Sequence, residues 1–151
     1  MDINNIILRI RNNLKYPLFV KPSNSGSSYG VTKVVQEENL KSAIEEAAKF
    51  DTKILIEEEI VGREVECAVL GNEEVIASGV GEIKYDGDFY SNSEKFNKPN
   101  KNDIKPNIPK EITEKIRAQA IKVFKIIYGR GLAIELIFLL KKKLMKFILM
   151  K

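Results

Sequence analysis

A lysine followed by a loop of small polar residues is the part of this sequence best suited to chemistry. Residues 16–30 read YPLFVKPSNSGSSYG, in which the apolar run 18–20 ends at Lys21 and residues 23–28 are serine, asparagine and glycine. A lysine ammonium offsets phosphate charge, and backbone amides without large side chains can approach phosphate oxygens closely. The loop is not a Walker A loop, because Lys21 precedes the glycine and no Gly-Lys-Ser/Thr follows. The pattern indicates a polyphosphate site, with an ordinary β-hairpin loop as the alternative.

Hydrophobic periodicity predicts the elements that position this loop. The expected elements are a helix at 3–14, strands at 18–21 and 31–35, a helix at 37–50, strands at 53–60, 64–70 and 74–78, and a helix from Pro109 to about Ile127. Gly71 and Asn72 form a plausible hairpin turn between two of these strands. Residues 85–109 are polar and predict a long loop, of the kind that often serves as a lid. The order of elements predicts an α+β fold.

The composition is that of a soluble globular protein and excludes several kinds of site. Of the 151 residues, 44% are hydrophobic and 30% are charged, which is typical of one domain or of two small lobes. The sequence contains one cysteine, Cys67, and no histidine, which excludes a disulfide framework, a His/Cys zinc site and a histidine triad. The first residues include an acid and amides where a secretory signal would be basic, so we expect a cytoplasmic protein.

The net charge of +4 is concentrated at one end of the sequence. Residues 134–151 contain five lysines and one acid, Glu135, whereas residues 1–133 contain equal numbers of basic and acidic residues. A nucleic-acid-binding domain is expected to carry a basic face in its body. The distribution therefore argues against nucleic acid as a partner, and the basic end needs a separate explanation.

Three motifs together resemble the ATP-grasp ligases, and specifically the D-alanine–D-alanine ligases. YPLFVKPSNSGSSYGV at 16–31 is similar to the family's phosphate-covering strand and loop. ILIEEEIVGREVECAVLG at 54–71 is similar to its nucleotide-binding strand and the start of its large lobe, and FYSNSEKF at 89–96 to its active-site lid. The resemblance implies an ATP-grasp fold fragment, with a residual helix at 1–15, the small phosphate-covering lobe at 16–61 and part of the C-terminal lobe at 62–133.

The resemblance also implies which residues act on the phosphates and the substrate. The implied catalytic residues are Ser27, Tyr90 and Lys95. Lys21 and Ser28 would contact the ATP phosphates beside Ser27, and Lys95 would reach the transferred phosphate when the lid closes. Tyr90 would face the second substrate. Phe96 replaces a tyrosine that is often found there, which weakens the hydrogen-bonded contact between the lid and the serines.

The adenosine end of ATP would be held by residues 57–64. By resemblance, Glu57 would accept a hydrogen bond from the adenine amino group, and the backbone at Glu58 and Ile60 would read the edge of the ring. Glu64 would hold the ribose hydroxyls. The side chains of Glu58 and Glu59 are expected to form a solvated acidic edge.

The family's reaction implies the partners. In the family, ATP phosphorylates the carboxylate of one D-alanine, and the amine of a second D-alanine attacks the acyl phosphate. Magnesium and arginine stabilise the charge that develops. The implied partners are therefore ATP, Mg²⁺ and D-alanine, in a homodimer for the intact enzymes. Ligases that make the D-lactate ester typically carry a different lid, so dipeptide formation is expected.

Two parts of the family pattern are expected to be missing. Met1 lies shortly before Lys21, which leaves no room for the domain that binds the first D-alanine. After Ala133 the family continues with an R-I-D-F-F pattern and with its magnesium ligands, whereas residues 134–151 read IELIFLLKKKLMKFILMK, with Glu135 as the single carboxylate. Written in AT-rich codons and read from the third base, this segment spells R-I-D-F-F-I-K-K-K-I-D-E-I-Y-F-N-E. We interpret 134–151 as an out-of-frame tail without metal ligands.

These observations predict a ligase fragment that binds ATP weakly at most and does not turn over. A non-catalytic nucleotide-binding module and another ATP-grasp carboxylate–amine ligase are the alternatives within the same chemistry. An interaction protein whose basic tail lies as a helix on a membrane or a partner is a third interpretation. On a helix, the apolar residues of 136–148 would be only partly segregated from the lysines, so membrane binding is disfavoured.

Overall fold

A computed structural model of the chain describes residues 3–99, 101–141 and 146–149. The elements are α1 (Ile3–Asn13), β1 (Leu18–Pro22), β2 (Thr32–Val34), a 3₁₀ turn (Glu37–Asn39), α2 (Leu40–Ala47), β3 (Ile54–Glu58), β4 (Arg63–Gly71), β5 (Val75–Ile83), α3 (Asn92–Phe96), α4 (Lys110–Ile126), β6 (Gly131–Lys141) and β7 (Lys146–Leu149). Contacts divide them into a first unit, Met1–Glu59 with Asp86–Pro99, and a second unit, Ile60–Tyr85 with Asn100–Lys151. Each unit combines helices with an antiparallel sheet, so the predicted α+β class is confirmed.

The first unit is built on a three-stranded antiparallel sheet with β1 at its centre, in the order β2-β1-β3. Leu18 and Val20 are fully buried, whereas Phe19 and Lys21 are only partly buried. Successive side chains of a strand point to opposite faces, so one face of β1 joins the core and the other is left for Phe19 and Lys21. The buried core of this unit consists of Ile10, Leu18, Val20, Val34, Leu40, Ala43 and Ala47.

The second unit packs α4 against a four-stranded sheet in the order β5-β4-β6-β7. The helix buries side chains at intervals of four residues, which places them on one face of the helix: Ile112, Ile116, Ala120 and Phe124. They contact the buried face of β4, where Val65, Cys67 and Val69 alternate with more exposed residues. The helical spacing and the strand alternation therefore agree on a single core.

A short connection at residues 72–74 joins β4 to β5, and the predicted turn residues Gly71 and Asn72 are the last residue of β4 and the first of this connection. The φ angle of Gly71 is 143°, and a Cβ atom at this position would lie 2.0 Å from the carbonyl oxygen of Glu74. Only glycine fits such a turn without a change of backbone. The Oδ1 atom of Asn72 accepts a hydrogen bond of 3.0 Å from the backbone N–H of Gly131. The turn is thereby joined to the first residue of β6.

The disfavoured alternative, in which the basic end forms a helix, is wrong over the part that the structure describes, because that part forms the strands β6 and β7. Residues of β6 pair with β4 from Gly71 opposite Gly131 to Arg63 opposite Leu140, and β7 pairs with β6 in turn. Phe138 and Leu140 are buried in the core under α4. A run of apolar residues beside an open strand edge gains both backbone hydrogen bonds and burial by pairing as a strand. The rest of the predicted tail, at 142–145 and 150–151, lies outside the described residues.

The predicted long loop at 85–109 contains a short helix, α3, and it contains a β-bridge between Asp103 and Glu82. The Ser91-x-x-Glu94 pattern is a helix N-terminal signature, and the Ser91 side chain accepts a hydrogen bond from the N–H of Glu94. Among the described residues, no helix is long and apolar enough to cross a membrane.

A two-bond ion pair joins Arg63 and Glu82 in the second unit. The Nε atom of Arg63 donates to Oε1 of Glu82 at 2.6 Å, and Nη2 donates to Oε2 at 2.9 Å. The remaining Nη1 group donates to the carbonyl oxygen of Asn107 at 3.0 Å. These hydrogen bonds from Arg63 hold the pKa of Glu82 below its ordinary value. The pair ties the loop before α4 to the sheet.

We predict that Glu82→Gln lowers the free energy of unfolding by about 1–2 kcal/mol at neutral pH, because the half-buried Arg63 loses its charged partner. The folded-state pKa of Glu82 is lowered from 4.5, so its contribution is complete above the unfolded-state value and is lost as the pH falls through the folded-state value. Urea unfolding at pH 7 and pH 3 should therefore show a difference from the parent chain that shrinks in acid. Glu111→Gln removes an exposed i,i+4 pair with Lys115 and serves as the matched control. If Glu82→Gln and Glu111→Gln lose the same free energy of unfolding, the stabilising role given to the pair of Arg63 and Glu82 is contradicted.

Candidate functional site

The first unit brings together most of the residues predicted to form a nucleotide site. They are Lys21, Ser27, Ser28, Glu57, Glu58, Tyr90 and Lys95. Ile60 and Glu64 belong to the second unit. The name serine loop is used here for residues 23–30, and the name lid for Asp86–Pro99.

Lys21 lies near the end of β1, on the face of the strand that is not part of the core, and its side chain is next to a carboxylate. Its Nζ atom lies 2.5 Å from Oε1 of Glu57 on the neighbouring strand β3. The side chain of Lys21 is 17% exposed and that of Glu57 is 48% exposed, so the ammonium is the more shielded member of the pair. Charge–charge attraction is stronger where less water surrounds the charges. Lys21 is therefore well placed to attract an anion, which would compete with Glu57 for the ammonium.

An aromatic pair lies on the same side of the sheet. The rings of Phe19 on β1 and Phe89 in the lid meet edge to face, with centroids 5.2 Å apart and an interplanar angle of 81°. Phe19 is directly opposite Glu57 in the strand register. Aromatic side chains offer apolar surface for a planar ring. Sequence reasoning did not identify these two residues, although the alternation along β1 placed Phe19 on the face of Lys21.

The serine loop has an unusual backbone at its centre. Ser27 and Ser28 have φ angles of 51° and 58°, which lie in the left-handed region that serine rarely adopts. The Oγ atom of Ser28 donates to the carbonyl oxygen of Tyr90 at 2.9 Å. The Nδ2 atom of Asn92 donates to the carbonyl oxygen of Ser27 at 3.0 Å. The two predicted serines are therefore held directly against the lid.

The lid places Tyr90 and Lys95 side by side. The Nζ atom of Lys95 lies 5.0 Å from the centroid of the Tyr90 ring, a cation–π arrangement. Ser91 caps the N-terminus of α3, and Glu94 accepts a hydrogen bond of 3.2 Å from the N–H of Asp86 and pairs with Lys98. These contacts within the lid stabilise α3, and they keep the ring of Tyr90 and the ammonium of Lys95 close to each other.

Asp51 anchors the base of the serine loop and was missed by sequence reasoning. Its Oδ2 atom accepts from the N–H of Asn24 at 2.8 Å, and its Oδ1 atom accepts from the N–H of Lys53 at 3.0 Å. The N–H of Ser23 also donates to the carbonyl oxygen of Lys53 at 2.8 Å. These backbone N–H groups, that of Lys53 first, hold the pKa of Asp51 below its ordinary value. An aspartate in a short turn, two residues before the N–H that it accepts, was the available signal.

The acidic run at the end of β3, residues 57–59, makes more contacts with the protein than expected for a solvated edge. Oε1 of Glu58 accepts a hydrogen bond of 2.8 Å from the N–H of Lys15. The expectation is wrong for Glu59, whose side chain is 19% exposed and lies 2.6 Å from the Nζ atom of Lys33 on β2. Cross-strand charge pairs of this kind could not be read from the run of three glutamates alone, because their partners are distant in sequence.

In the second unit, Glu64 lies on β4 between Ile83 of β5 and Leu139 of β6. Its Oε1 atom accepts a hydrogen bond of 3.1 Å from the hydroxyl of Tyr85. Ile60 is half-buried at the start of the unit. These two residues were predicted to hold the ribose and the adenine edge, and that assignment stays a prediction.

The groups that the first unit brings together suit an anion and a planar ring, but they do not suit magnesium. A shielded ammonium, small-residue loop amides and an aromatic face are the groups that fit a nucleotide. Magnesium requires several oxygen ligands in near-octahedral geometry. Within residues 3–99, 101–141 and 146–149, no three or more Asp, Glu, Cys or His side chains are grouped where they could hold a metal.

The sequence matches the family described as "D-ala D-ala ligase C-terminus" over residues 1–149. It is 47% identical over 133 residues to a D-alanine–D-alanine ligase of Acetivibrio thermocellus, and this match covers 87% of the chain and 35% of the relative. It is 46% identical over 134 residues to a D-alanine–D-alanine ligase of Ruminiclostridium cellulolyticum, covering 87% of the chain and 36% of the relative. The chain thus spans about a third of the length of these relatives.

Solved structures show the same fold. The VanG D-Ala:D-Ser ligase from Enterococcus faecalis superposes with a TM-score of 0.81 at 35% identity, over 93% of this chain and 41% of that one. The D-alanine-D-alanine ligase from Coxiella burnetii superposes with a TM-score of 0.79 at 27% identity, over 99% of this chain and 38% of that one. The predicted ATP-grasp fold, as a fragment, is confirmed.

We predict that Asp51→Asn makes the base of the serine loop open more often, because a neutral amide is a weaker acceptor for backbone N–H groups than a carboxylate. Amide hydrogen exchange at Asn24 and Lys53 should rise about three- to tenfold, as expected for the weakening of charge-assisted hydrogen bonds. Asp88→Asn, at an exposed position of the lid, is the control with the same change of charge. Unchanged exchange at Asn24 in Asp51→Asn would show that the carboxylate does not anchor the loop.

Proposed function

Because this chain belongs to the family of D-alanine–D-alanine ligase C-terminal domains, we propose that it provides the nucleotide-binding part of such a ligase. The observation that carries the proposal is the shielded ammonium of Lys21 next to the serine loop and the lid. ATP, when bound, supplies the phosphoryl group that activates a D-alanine carboxylate in the family's reaction. The residues of this chain would hold and orient that nucleotide in the cytoplasm, where peptidoglycan precursors are made.

Lys21, Ser27 and Ser28 would hold the phosphates. An ammonium and closely spaced loop N–H groups supply positive charge and donors to phosphate oxygens. Lys95 would add a second ammonium from the lid, and its neighbour Tyr90 would face the second substrate. The support for this arrangement is the pair of hydrogen bonds that joins the serine loop to the lid.

The adenosine end would meet a different set of groups. Glu57 would accept from the adenine amino group, and the backbone of Glu58 and Ile60 would pair with the ring edge. Glu64 would hold the ribose hydroxyls, for which its acceptor oxygens are suited. The aromatic pair on the exposed face of β1 supports a planar ligand in the first unit.

For the second substrate we propose an amino acid with a free amine, D-alanine, and a peptide product rather than an ester. The proposal rests on the Tyr90 and Lys95 pair, in which a cation already lies over the tyrosine ring. The resemblance of this lid to that of the dipeptide-forming ligases supports an amine-terminated second substrate.

We also propose that the chain as it stands does not complete the reaction. Residues 134–151 carry a single carboxylate, Glu135, where the family pattern supplies acidic magnesium ligands. The proposed explanation is a change of reading frame near Ala133, which leaves 134–151 as an out-of-frame tail. Sequencing the gene decides this point, because a locus whose shifted frame does not encode R-I-D-F-F and the acidic segment after it removes the explanation.

We predict that Lys21→Met weakens ATP binding about ten- to a hundredfold, because a charge-assisted bond to phosphate is lost in a shielded position. Isothermal titration calorimetry with ATP measures the change. Lys49→Met is the matched control, because the exposed ammonium of Lys49 lies just after α2 and pairs with Glu46 of that helix. Equal affinities in the parent chain and in Lys21→Met, or equal losses in both variants, would contradict the proposed phosphate site.

We predict that the purified chain releases no phosphate above background when it is given ATP, Mg²⁺ and D-alanine. The reason is the missing carboxylate ligands, without which the metal cannot offset the charge of the transferred group. A coupled phosphate-release assay, with a full-length D-alanine–D-alanine ligase as the positive control, measures this. D-alanine-dependent turnover by this chain would refute the proposal of an inactive fragment.

A further inference from the structure

Two hydrogen bonds connect consecutive residues of the serine loop to the lid. The side chain of Ser28 donates to the backbone of Tyr90, and the side chain of Asn92 donates to the backbone of Ser27. The first bond uses a side chain of the loop, and the second uses a side chain of the lid. Together they fix the two residues whose backbone lies in the left-handed region.

In the part of the chain that the structure describes, the other contacts near the centre of the loop include turn bonds within the loop and the packing of Tyr29 on Phe50. Gly26 is so open that a Cβ atom added there would meet nothing within 4 Å. The internal backbone bonds of this stretch are turn bonds, from Tyr29 to Gly26 at 3.1 Å and from Val31 to Ser28 at 3.4 Å. A left-handed conformation costs a non-glycine residue of order 1 kcal/mol or more and persists only where the surroundings hold it. The lid supplies such surroundings.

The lid is built to present Asn92. This residue follows the N-cap Ser91 and is therefore the first residue of α3. The Phe89 ring, three residues earlier, packs on Phe19 of β1, which fixes the position of the lid on the sheet. Asn92 is thereby directed at the loop by a capped helix on one side and an aromatic contact on the other.

At position 96 the lid carries a phenylalanine, which offers the loop no hydroxyl. Phe96 is 65% exposed and has no polar atom in its side chain. The resemblance to the family implies that a tyrosine is often found at this position, and its hydroxyl would be such a polar atom. In this chain, Asn92 and Ser28 each supply a hydrogen bond between lid and loop.

We propose that Asn92 is a positioning residue: its carboxamide fastens the lid to the serine loop and so holds Ser27 and Ser28 in the conformation that meets the phosphates. The hydrogen bond from Asn92 to the Ser27 carbonyl is called the latch below, and it exists in the chain without any ligand. The identity of the anion rests on the proposed function above. No catalytic step is assigned to Asn92, since its amide contacts a backbone carbonyl of the chain.

Hydrogen–deuterium exchange of the full chain tests the latch directly. Asn92→Ala removes the donor, and Asn92→Asp replaces it with a carboxylate oxygen of the same size that faces the Ser27 carbonyl. An acid in the first turn of a helix is favourable, so Asn92→Asp does not weaken α3 itself. Both variants should raise exchange in peptides covering 23–31 about fivefold, as expected when one such bond is lost.

Ser93→Asp is the matched control, because it adds the same charge one residue later without removing the bond to the loop. Exchange in 23–31 should stay at the parent value in this control, and exchange in α4 should stay unchanged in all variants. Parent-like exchange in both Asn92 variants, or an equal rise in Ser93→Asp, would overturn the latch.

Nucleotide binding then separates a positioning role from a merely structural one. ATP titrated calorimetrically should bind both Asn92 variants about fivefold more weakly than the parent chain, with unchanged midpoints of urea unfolding. Equal ATP affinity in all chains, despite faster exchange, would overturn the positioning role. If the parent chain binds no ATP, the proposed function fails and with it the role toward phosphate, while the exchange data still decide whether the latch exists.

Discussion

The alternation of side chains along β1 is the constraint on which the first unit depends. Leu18 and Val20 are fully buried on one face, while Phe19 and Lys21 lie on the other. A shift of one residue in register would exchange these faces and place an ammonium in the core, at a cost of several kcal/mol. The hydrophobic core therefore fixes the position of the lysine. The burial of Leu18 and Val20 on one side of β1 thus fixes where Lys21 lies on the other side.

The serine loop is held in a different way from the strand that precedes it. Its base is bound by the carboxylate of Asp51, and its centre is bound by Asn92 and by the backbone of Tyr90. Each such bond contributes about 0.5–1.5 kcal/mol, which is small beside the burial of a whole strand. The loop therefore belongs to the part of the unit that opens most easily. An anion-binding loop can in this way adjust to its ligand while the lysine beside it stays fixed.

The sequence predicted the elements that depend on local patterns, and it missed the contacts that join distant segments. The helical and strand periods gave α1, β1 and α4 to within a few residues, and the glycine at 71 identified the hairpin turn. Nothing in the local pattern near Glu59 names Lys33 as its partner, because pairing across strands is set by the register of the sheet. The Ser-x-x-Glu signature of α3 is present in the sequence, but a helix of 5 residues is too short for its hydrophobic period to stand out from a polar loop.

On the proposed change of reading frame, the end of the described chain would keep the sheet while losing the metal ligands. Pairing with β4 requires backbone donors and acceptors and a row of apolar side chains, and Phe138 and Leu140 meet that requirement. AT-rich codons encode mostly isoleucine, leucine, phenylalanine and lysine in more than one frame, so a shifted segment can still form a strand. Carboxylates at chosen positions are not preserved by such a shift. On the proposed change of frame, the sheet would be retained because a strand requires only backbone groups and apolar side chains. Magnesium binding would be lost because it requires carboxylate oxygens at particular positions.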